Sequence, residues 1–344
     1  MSVAAGTRAR IDAAHRSSAF YRGYLANHHP MAMVALDGMG ASPADLDRFE
    51  ASYLPRLEPI AASVVVIQPG DEAAHLGSPR AFPEWVDYFS KAIDHEGVDA
   101  VLRRWIDRLV PALAAGAFHG AIRTAFALES QAAREAAHAL AYWAAAYEPL
   151  PVPPQATGTR SPYEVLAALA RDPVHAGKRL PGRNIIERTV AAARLPDFAA
   201  YVASVDPAQL DLDGIAGAVL RAYTASGDFT LLHGVTGTHA FRLLAPYASD
   251  PRAALDDLWV AVVAAYLGAG APPAEGWGLD GSDSLDWPAI HARAIRCEDE
   301  HDIKFAYSCW REWQQRGDEF YRRAASARVC AAMRAAAPAD AMAC

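Results

Sequence analysis

Four short segments place histidines among residues that otherwise have the composition of buried helices. A single histidine of this kind is more often a hydrogen-bonded core residue than a ligand. Four segments on separate helices are different, because neutral imidazoles that converge in a helical core can bind iron, copper or zinc. The sequence therefore predicts a metal site built from these segments. They are Asn27-His28-His29-Pro30, Phe118-His119-Gly120, Leu232-His233-Gly234 and Glu300-His301-Asp302-Ile303-Lys304.

Lys304 follows His301 by three residues, so on a helix both side chains point to the same face. A protonated lysine is a poor metal ligand. A lysine buried beside a cation can lose its proton, however, and then react with carbon dioxide to form a carbamate with an anionic oxygen. We predict such a ligand at Lys304. The alternative is a surface lysine that forms an ion pair with Glu300 at the i,i+4 spacing.

Three Glu-x-x-His matches support a competing interpretation, because ferritin-like di-iron sites use this spacing on helices. They are Glu72 to His75, Glu135 to His138 and Glu298 to His301. The pattern is incomplete, since a di-iron bundle also needs a bridging glutamate on each of two other helices. His75 precedes a loop-like stretch, and Arg134, Glu135 and His138 have the spacing of a solvated helix face. A ferritin-like di-iron oxidase is therefore kept as the alternative.

Two of the histidine segments share the pattern His-Gly-x-x-x-Thr, in residues 119–124 and 233–238. Glycine lets a neighbouring backbone or a ligand approach closely, although inside a helix it costs about 1 kcal/mol relative to alanine. The pattern favours close packing between helices, and it is also compatible with a ligand beside each histidine.

Signatures of several common cofactor and catalytic sites are missing from the sequence. No G-x-G-x-x-G follows a strand, and Gly214-Ile215-Ala216-Gly217 lacks both the first glycine pair and a preceding strand. The P-loop and nucleophile-elbow patterns are also absent. We therefore expect no tightly bound flavin or NAD(P)H, and the kinase and hydrolase classes lose their support. If NAD(P)H serves as an external reductant, its simplest role is to keep a metal reduced.

The charge and hydropathy of the chain limit its partners. The 344 residues carry a net charge of -8 without clustered Lys and Arg, so we expect no nucleic-acid partner. Apolar runs such as residues 258–267 are shorter than the about 20 residues of a membrane-spanning helix. No apolar secretion signal follows the first ten residues, and we expect a cytoplasmic protein without a membrane partner. The cysteines, which we expect to be free thiols, are Cys297, Cys309, Cys330 and Cys344.

Apolar residues recur at three- and four-residue steps along most of the chain, which is the period of an α-helix. The sequence predicts an all-α fold, a single large domain with the metal site in its core between helices. Two packed helical halves, residues 1–148 and 161–335, are joined by a proline-rich linker at residues 149–160.

Local signals mark further boundaries of the predicted elements. Ser42-Pro43 with Asp45, and Ser161-Pro162 with Glu164, have the residues of capping boxes at helix starts. Residues 268–288 are rich in glycine and proline and predict an ordered surface loop. Residues 64–67 form a strand-like run, which alone does not indicate a sheet.

The histidine segments also resemble the questin oxidase family. The matching stretches are residues 25–31, 117–123, 233–237 and 299–304, and the resemblance extends from about Tyr21 to about Tyr307. The family is linked to oxidative ring opening of anthraquinone-type polyketides, and it has been described as Baeyer-Villiger-like and dependent on reduced nicotinamide.

The resemblance implies a mononuclear non-haem iron site formed by four histidines and a carboxylated lysine. Carried over to this sequence, the ligands are His28, His119, His233, His301 and Lys304. His29 departs from the family pattern, which has an apolar residue after the first histidine. We assign His28 as the ligand because it follows Asn27, as in the family pattern.

Together these features predict an oxidoreductase that uses Fe(II) and dioxygen. Its substrate is expected to be a bulky aromatic, quinone-like or polyketide-like molecule that packs in an apolar pocket beside the metal. The non-enzyme alternative is a helical ligand-binding protein in which the histidines only pack, and the metal content of the purified protein distinguishes the two.

Overall fold

The structure is a computed structural model that describes residues 3–23, 25–63, 65–273 and 284–336. These residues form sixteen α-helices, and the prediction of an all-α fold is confirmed. The helices are α1 (Ala5–Ala14), α2 (His29–Gly38), α3 (Pro43–Tyr53), α4 (Phe82–Glu96), α5 (Val98–Leu109), α6 (His119–Ser130), α7 (Ala133–Ala145), α8 (Pro162–Arg171), α9 (Ile185–Ala192), α10 (Phe198–Ala203), α11 (Leu212–Ser226), α12 (Phe229–Leu244), α13 (Pro251–Gly268), α14 (Trp287–Ala294), α15 (Glu300–Arg316) and α16 (Glu319–Ala336). Short 3-10 helices span Leu54–Arg56, Glu72–Ala74, Pro79–Ala81, Val110–Ala112 and Ala245–Tyr247.

Regular strands in the described part of the chain are limited to one short hairpin, which leads into α2. Strand β1 (Phe20–Tyr21) pairs antiparallel with β2 (Leu25–Ala26). Residues 65–67 of the strand-like run form no strand, and Val64 lies outside the described residues.

Both predicted capping boxes are present. At the start of α3 the Ser42 hydroxyl accepts a hydrogen bond from the Asp45 N–H at 3.3 Å, and the Asp45 carboxylate accepts one from the Ser42 N–H at 3.0 Å. Ser161 and Glu164 make the same pair of bonds at the start of α8. Each box satisfies N–H groups that a helix start leaves without partners, so the sequence fixes these two boundaries.

Four helices that are distant in the sequence surround the centre of the molecule. Helix α2 contacts α6, α6 contacts α12, α12 contacts α15, and α15 contacts α2. Each of the four histidine segments lies at or near the N-terminal end of one of these helices. The fold therefore brings together the ends of the helices that carry the candidate ligands.

The glycines of the two His-Gly-x-x-x-Thr segments lie where helices touch. A Cβ atom at Gly120 would overlap the side chain of Trp143, and one at Gly234 would lie 2.9 Å from Val219. Both glycines therefore allow close packing between helices, which is the structural interpretation of the pattern.

The predicted linker, residues 149–160, forms no helix between α7 and α8. Helices from both sides of it are in contact, and the division of the chain into two halves stays a prediction. The predicted loop at residues 268–288 connects α13 to α14, and its residues 274–283 lie outside the described residues.

In the described ranges, no helix is both long and apolar enough to cross a membrane. Cys297, Cys309 and Cys330 are free thiols, and Cys344 lies outside the described residues.

Candidate metal centre

Four imidazole rings meet where α2, α6, α12 and α15 come together. The ring centroids of His28 and His119 are 4.4 Å apart, and those of His119 and His233 are 4.7 Å apart. His301 completes the circle, at 5.1 Å from His233 and 4.7 Å from His28. Ligand nitrogens of His28, His119 and His301 lie within 4.8 Å of one another. The four histidines that the sequence singled out therefore form one closed cluster.

The backbone orients two of these rings. Nδ1 of His119 is hydrogen-bonded to the Gly116 carbonyl oxygen, and Nδ1 of His233 lies 2.7 Å from the Phe229 carbonyl oxygen. A carbonyl only accepts, so Nδ1 carries the proton and Nε2 has the lone pair. Both Nε2 atoms are buried without a hydrogen-bond partner. Buried nitrogens of this kind fit metal ligands whose other ring nitrogen is fixed by the protein.

Carboxylates lie beside the other two rings. Nδ1 of His301 lies 2.7 Å from an oxygen of Asp299, the residue that caps α15. Nδ1 of His28 lies 3.2 Å from Oε1 of Glu300, although the geometry falls short of a hydrogen bond. Carboxylates beside Nδ1 favour Nε2 as the metal-binding atom of both rings.

A left-handed turn precedes His119. Gly116, Ala117 and Phe118 have φ values of 56°, 58° and 65°, and the two non-glycine residues are in a region that costs about 1 to 2 kcal/mol each. Gly237 on α12 makes room for the Phe118 ring, because a Cβ atom at residue 237 would lie 2.7 Å from that ring. The turn sets the direction of the His119 ring at the start of α6.

Three histidines of the cluster are favoured in the neutral form that metal binding requires. Burial lowers the pKa of His28, His119 and His233 well below the usual value for histidine, and the nearby charge of Lys304 adds to the effect. Neutral imidazoles can bind a cation without first losing a proton.

Lys304 is one turn beyond His301 on α15, and its side chain is only 1% exposed. The alternative of a surface ion pair with Glu300 is therefore wrong. Glu300 lies near His28 and Arg56 instead, and in the described part of the chain Lys304 forms no ion pair. Burial lowers the pKa of Lys304 to about 8, although Glu300 and Asp299 act in the opposite direction. Its position fits a lysine that can be neutral, and its role as a ligand stays a prediction.

His29 points away from the cluster. Its Nε2 atom lies 2.8 Å from Glu50 Oε1, and its ring lies against Phe49. The structure thus brings His28 rather than His29 to the other three histidines. The difference follows from the helix start, where His28 precedes α2 and His29 is its first residue.

Within the described ranges, the Glu-x-x-His pairs do not build a second metal position. Glu135 and His138 are buried, so the interpretation as a solvated helix face was wrong. The reason is that α7 is covered by α1, α4 and α6, where Arg123 and His15 both contact the Glu135 carboxylate. In the described residues, no group of histidines and acids close enough to hold a metal contains His75 or His138.

A cavity of about 380 Å³ opens beside the four histidines. This volume is in the range of sites that bind small organic molecules. Aromatic and aliphatic side chains form much of its wall, namely those of Tyr21, Leu25, Tyr142, Ile185, Ile186 and Phe229. The ring of Phe229 lies edge-on to His233 and His301, at centroid distances of 4.6 and 4.7 Å. An aromatic molecule in the cavity would therefore lie directly beside the candidate ligands.

Sequence reasoning missed several residues of this site. Asp299 was seen only as a neighbour of His301, and Glu300 was considered only as an ion-pair partner of Lys304. Arg188 and Tyr142 were not singled out although both line the cavity. A helix-capping aspartate before a histidine is a signal that could have identified Asp299. No local signal marks Arg188 or Tyr142, because their distance to the histidines depends on the packing of other helices.

The chain matches the model of the Questin oxidase-like family over residues 25–309, and it belongs to that family. A comparison with curated proteins found no match. Family membership implies an oxidative enzyme that acts on a small aromatic substrate of the anthraquinone type. The matched range contains all four clustered histidines and Lys304.

Proposed function

We propose that this protein is a metal-dependent oxygenase that uses a mononuclear non-haem Fe(II) and dioxygen on a bulky aromatic or quinone-like substrate. The proposal is carried by one observation, the cluster of four imidazoles beside a largely apolar cavity, two of which, His119 and His233, have buried Nε2 atoms without a partner. Oxidative cleavage of an aromatic or quinone ring is the reaction class that family membership favours.

The proposed ligands are His28, His119, His233, His301 and Lys304. When bound, iron would supply the capacity to activate dioxygen, which the side chains of this cavity lack. Backbone carbonyls and carboxylates orient the imidazoles through Nδ1. The apolar wall would hold the substrate and exclude water from the reacting atoms.

A carbamate on Lys304 would balance the charge of the metal. Four neutral imidazoles leave a divalent cation uncompensated in a core of low dielectric constant. The neutral lysine Nζ can attack the carbon of carbon dioxide, which forms an N–C bond and releases one proton. The product carries a negative charge on its oxygens. The burial of Lys304 one turn after His301 supports this modification.

The reductant is proposed to act from outside the protein. We expect neither flavin nor NAD(P)H to be tightly bound, because the sequence carries no dinucleotide fingerprint. If turnover needs NAD(P)H, ascorbate should replace it, since either would serve to keep the iron ferrous. A flavin absorption spectrum in the purified protein would contradict this expectation.

Elemental analysis by mass spectrometry tests the central proposal. The protein would be produced in medium with limiting iron, copper and zinc in turn, and the bound metal measured per chain. We expect iron in preference to the other two, and dioxygen consumption only with the iron form. A purified protein that binds none of the three metals would favour the non-catalytic ligand-binding alternative.

A further inference from the structure

Arg188 adds a charge to the cavity wall that the histidines and Lys304 do not explain. It lies in the first turn of α9, where Ile185 and Ile186 also line the cavity. Its Nε atom is buried without a hydrogen-bond partner. The one hydrogen bond of its guanidinium with described residues runs from Nη1 to the Gly182 carbonyl oxygen, at 3.3 Å.

No described carboxylate lies within ion-pair distance of Arg188, unlike two arginines that precede it in the chain. Arg183 pairs with Glu187 at 2.6 Å, and Arg179 pairs with Asp228 at 3.1 Å. Glu300 is the acidic residue of the cavity wall, and it already lies beside His28 and Arg56. A guanidinium is charged at all physiological pH values, and a partly buried one normally has an anionic partner.

The backbone of Arg188 is held firmly in place. Gly268 at the end of α13 touches α9 so closely that a Cβ atom there would lie 3.0 Å from the Thr189 nitrogen and 3.2 Å from the Arg188 carbonyl carbon. The position of the Arg188 backbone beside the cavity therefore follows from helix packing.

We propose that Arg188 forms an anion subsite that binds an anionic ring oxygen of the aromatic substrate, a phenolate or a ring carboxylate. The guanidinium fork would donate charge-assisted hydrogen bonds to this oxygen, while Ile185 and Ile186 contact the ring system. The inference rests on the proposed use of the cavity for an aromatic substrate. It goes further by assigning the acidic substituent of that substrate and the end of the cavity where it lies.

The test measures the binding of three probes that share one skeleton. These are 2-hydroxyanthraquinone at a pH where it is ionised, anthraquinone-2-carboxylate, and the uncharged 2-methoxyanthraquinone. A charge-assisted hydrogen bond predicts that an anionic probe binds about tenfold to a hundredfold more tightly than the methoxy probe. Whichever anionic probe shows the preference identifies the oxygen as phenolate or carboxylate. Binding is followed by titration of tryptophan fluorescence, with metal content measured on the same samples.

Arg188→Gln should abolish the preference and leave the affinity for the methoxy probe unchanged. Arg188→Lys should keep part of it, because the charge remains without the planar fork. The matched control is Arg194→Gln, which removes the same charge from an exposed residue just after α9 and should keep the full preference.

Three outcomes would overturn the anion subsite: equal binding of all probes to the unmodified protein, a preference that persists in Arg188→Gln, or an equal loss of affinity for every probe. Failure of all three probes to bind would overturn the proposed substrate site as well. Selective binding to a protein that holds no metal would contradict the proposed oxygenase and still support the subsite.

Discussion

Seven histidines in or beside the core form two groups that differ in their partners. Three of them lie against a glutamate that also pairs with an arginine, with nitrogen-to-oxygen distances of 2.7, 2.8 and 2.9 Å to the glutamate. These triads are His15–Glu135–Arg123, His29–Glu50–Arg10 and His239–Glu312–Arg242. The four histidines of the candidate metal centre face one another instead.

The two groups have different consequences for charge. In a triad, the arginine neutralises the carboxylate, and the carboxylate contacts one ring nitrogen. The other ring nitrogen, Nδ1 of His15 and His29 and Nε2 of His239, is buried without a hydrogen-bond partner. His119 and His233 have only backbone carbonyls at Nδ1, and their Nε2 atoms have no protein partner. His28 is intermediate, because Glu300 lies 3.2 Å from its Nδ1 and 3.6 Å from Arg56. Neither burial nor an unpartnered ring nitrogen alone marks a ligand. In the described residues, His28, His119 and His301 form a group close enough to hold a metal, whereas no triad histidine belongs to such a group.

The largest effect that separates the groups is loss of metal. His119→Ala or His233→Ala should remove most of the bound metal, because each deletes one of a small set of ligands, while the circular-dichroism spectrum stays helical. The matched control is His239→Gln, six residues after His233 on α12, which should keep its metal. Elemental analysis of the purified variants is the measurement. Full metal retention in both alanine variants would contradict the assignment of the cluster.

The thermal midpoint of the same variants gives a second readout. Metal that binds only the folded state stabilises it by mass action, so the metal-depleted variants should unfold at a lower temperature. Added Fe(II) should raise the midpoint of the unmodified protein and not that of the variants. An equal rise in all of them would place the metal elsewhere.

Lys304→Arg tests whether the cluster needs an anionic ligand. Arginine retains the positive charge but cannot form a carbamate, so iron affinity should fall by at least about tenfold and activity should be lost. Lys91→Arg, at an exposed position on α4, is the control and should behave like the unmodified protein. Normal iron retention and activity in the Lys304 variant would show that the four histidines suffice.

The triads should contribute to stability and not to metal binding. Glu135→Gln leaves Arg123 without its buried anion, and we expect the free energy of unfolding to fall by about 3 to 5 kcal/mol with the metal content unchanged. Urea unfolding at neutral pH measures the change. Loss of metal without loss of stability would contradict the division into two groups.

Acid should weaken the triads in a defined range. Burial acts to raise the pKa of Glu135, but Arg123 and His15 outweigh it and lower the pKa from 4.5 to about 2. The unfolded chain then binds more protons than the folded one between these values. The stability that Glu135 contributes is complete above pH 4.5 and is lost as the pH falls to about 2. The free energy of unfolding should therefore change less between pH 6 and pH 3 in Glu135→Gln than in the unmodified protein. An equal dependence on pH in the two proteins would contradict this prediction.

The sequence predicted the helical fold and the four histidine segments because both depend on local patterns. Helix period and capping boxes involve residues a few positions apart, as at Ser42 and Asp45. The burial of His138 could not be predicted in the same way. Its exposure depends on which helices cover α7, and that information lies in contacts between distant parts of the chain.

The candidate site was predictable only in its residue types. The sequence left open whether His28 or His29 joins the cluster, because the two rings diverge at a helix start and His29 meets Glu50 across α2 and α3. No sequence pattern marked Arg188, because its lack of an acidic partner depends on how distant parts of the chain pack around it. Long-range packing therefore separates a candidate ligand from a histidine that only stabilises the core.

The smallest expected effects on stability and metal affinity come from the left-handed residues at the two ends of α6. The turn before α6 is expected to orient a ligand, whereas the turn after it only ends the helix. Gln131, which is exposed after the last turn, has a φ of 54°, and Ala117 before the first turn has a φ of 58°. Glycine adopts both conformations without the steric cost that other residues have there. Gln131→Gly should therefore raise the free energy of unfolding by about 1 kcal/mol and leave metal affinity unchanged.

Ala117→Gly relieves the same conformational cost, but it also removes a buried methyl group, so its gain in stability should be smaller. It should lower metal affinity as well, because the more flexible turn no longer holds His119 in one direction against the Gly116 carbonyl. Urea unfolding and a competitive metal titration on both variants measure the two effects. Equal metal affinity in the two variants would show that the left-handed turn before His119 has no part in orienting the ligand.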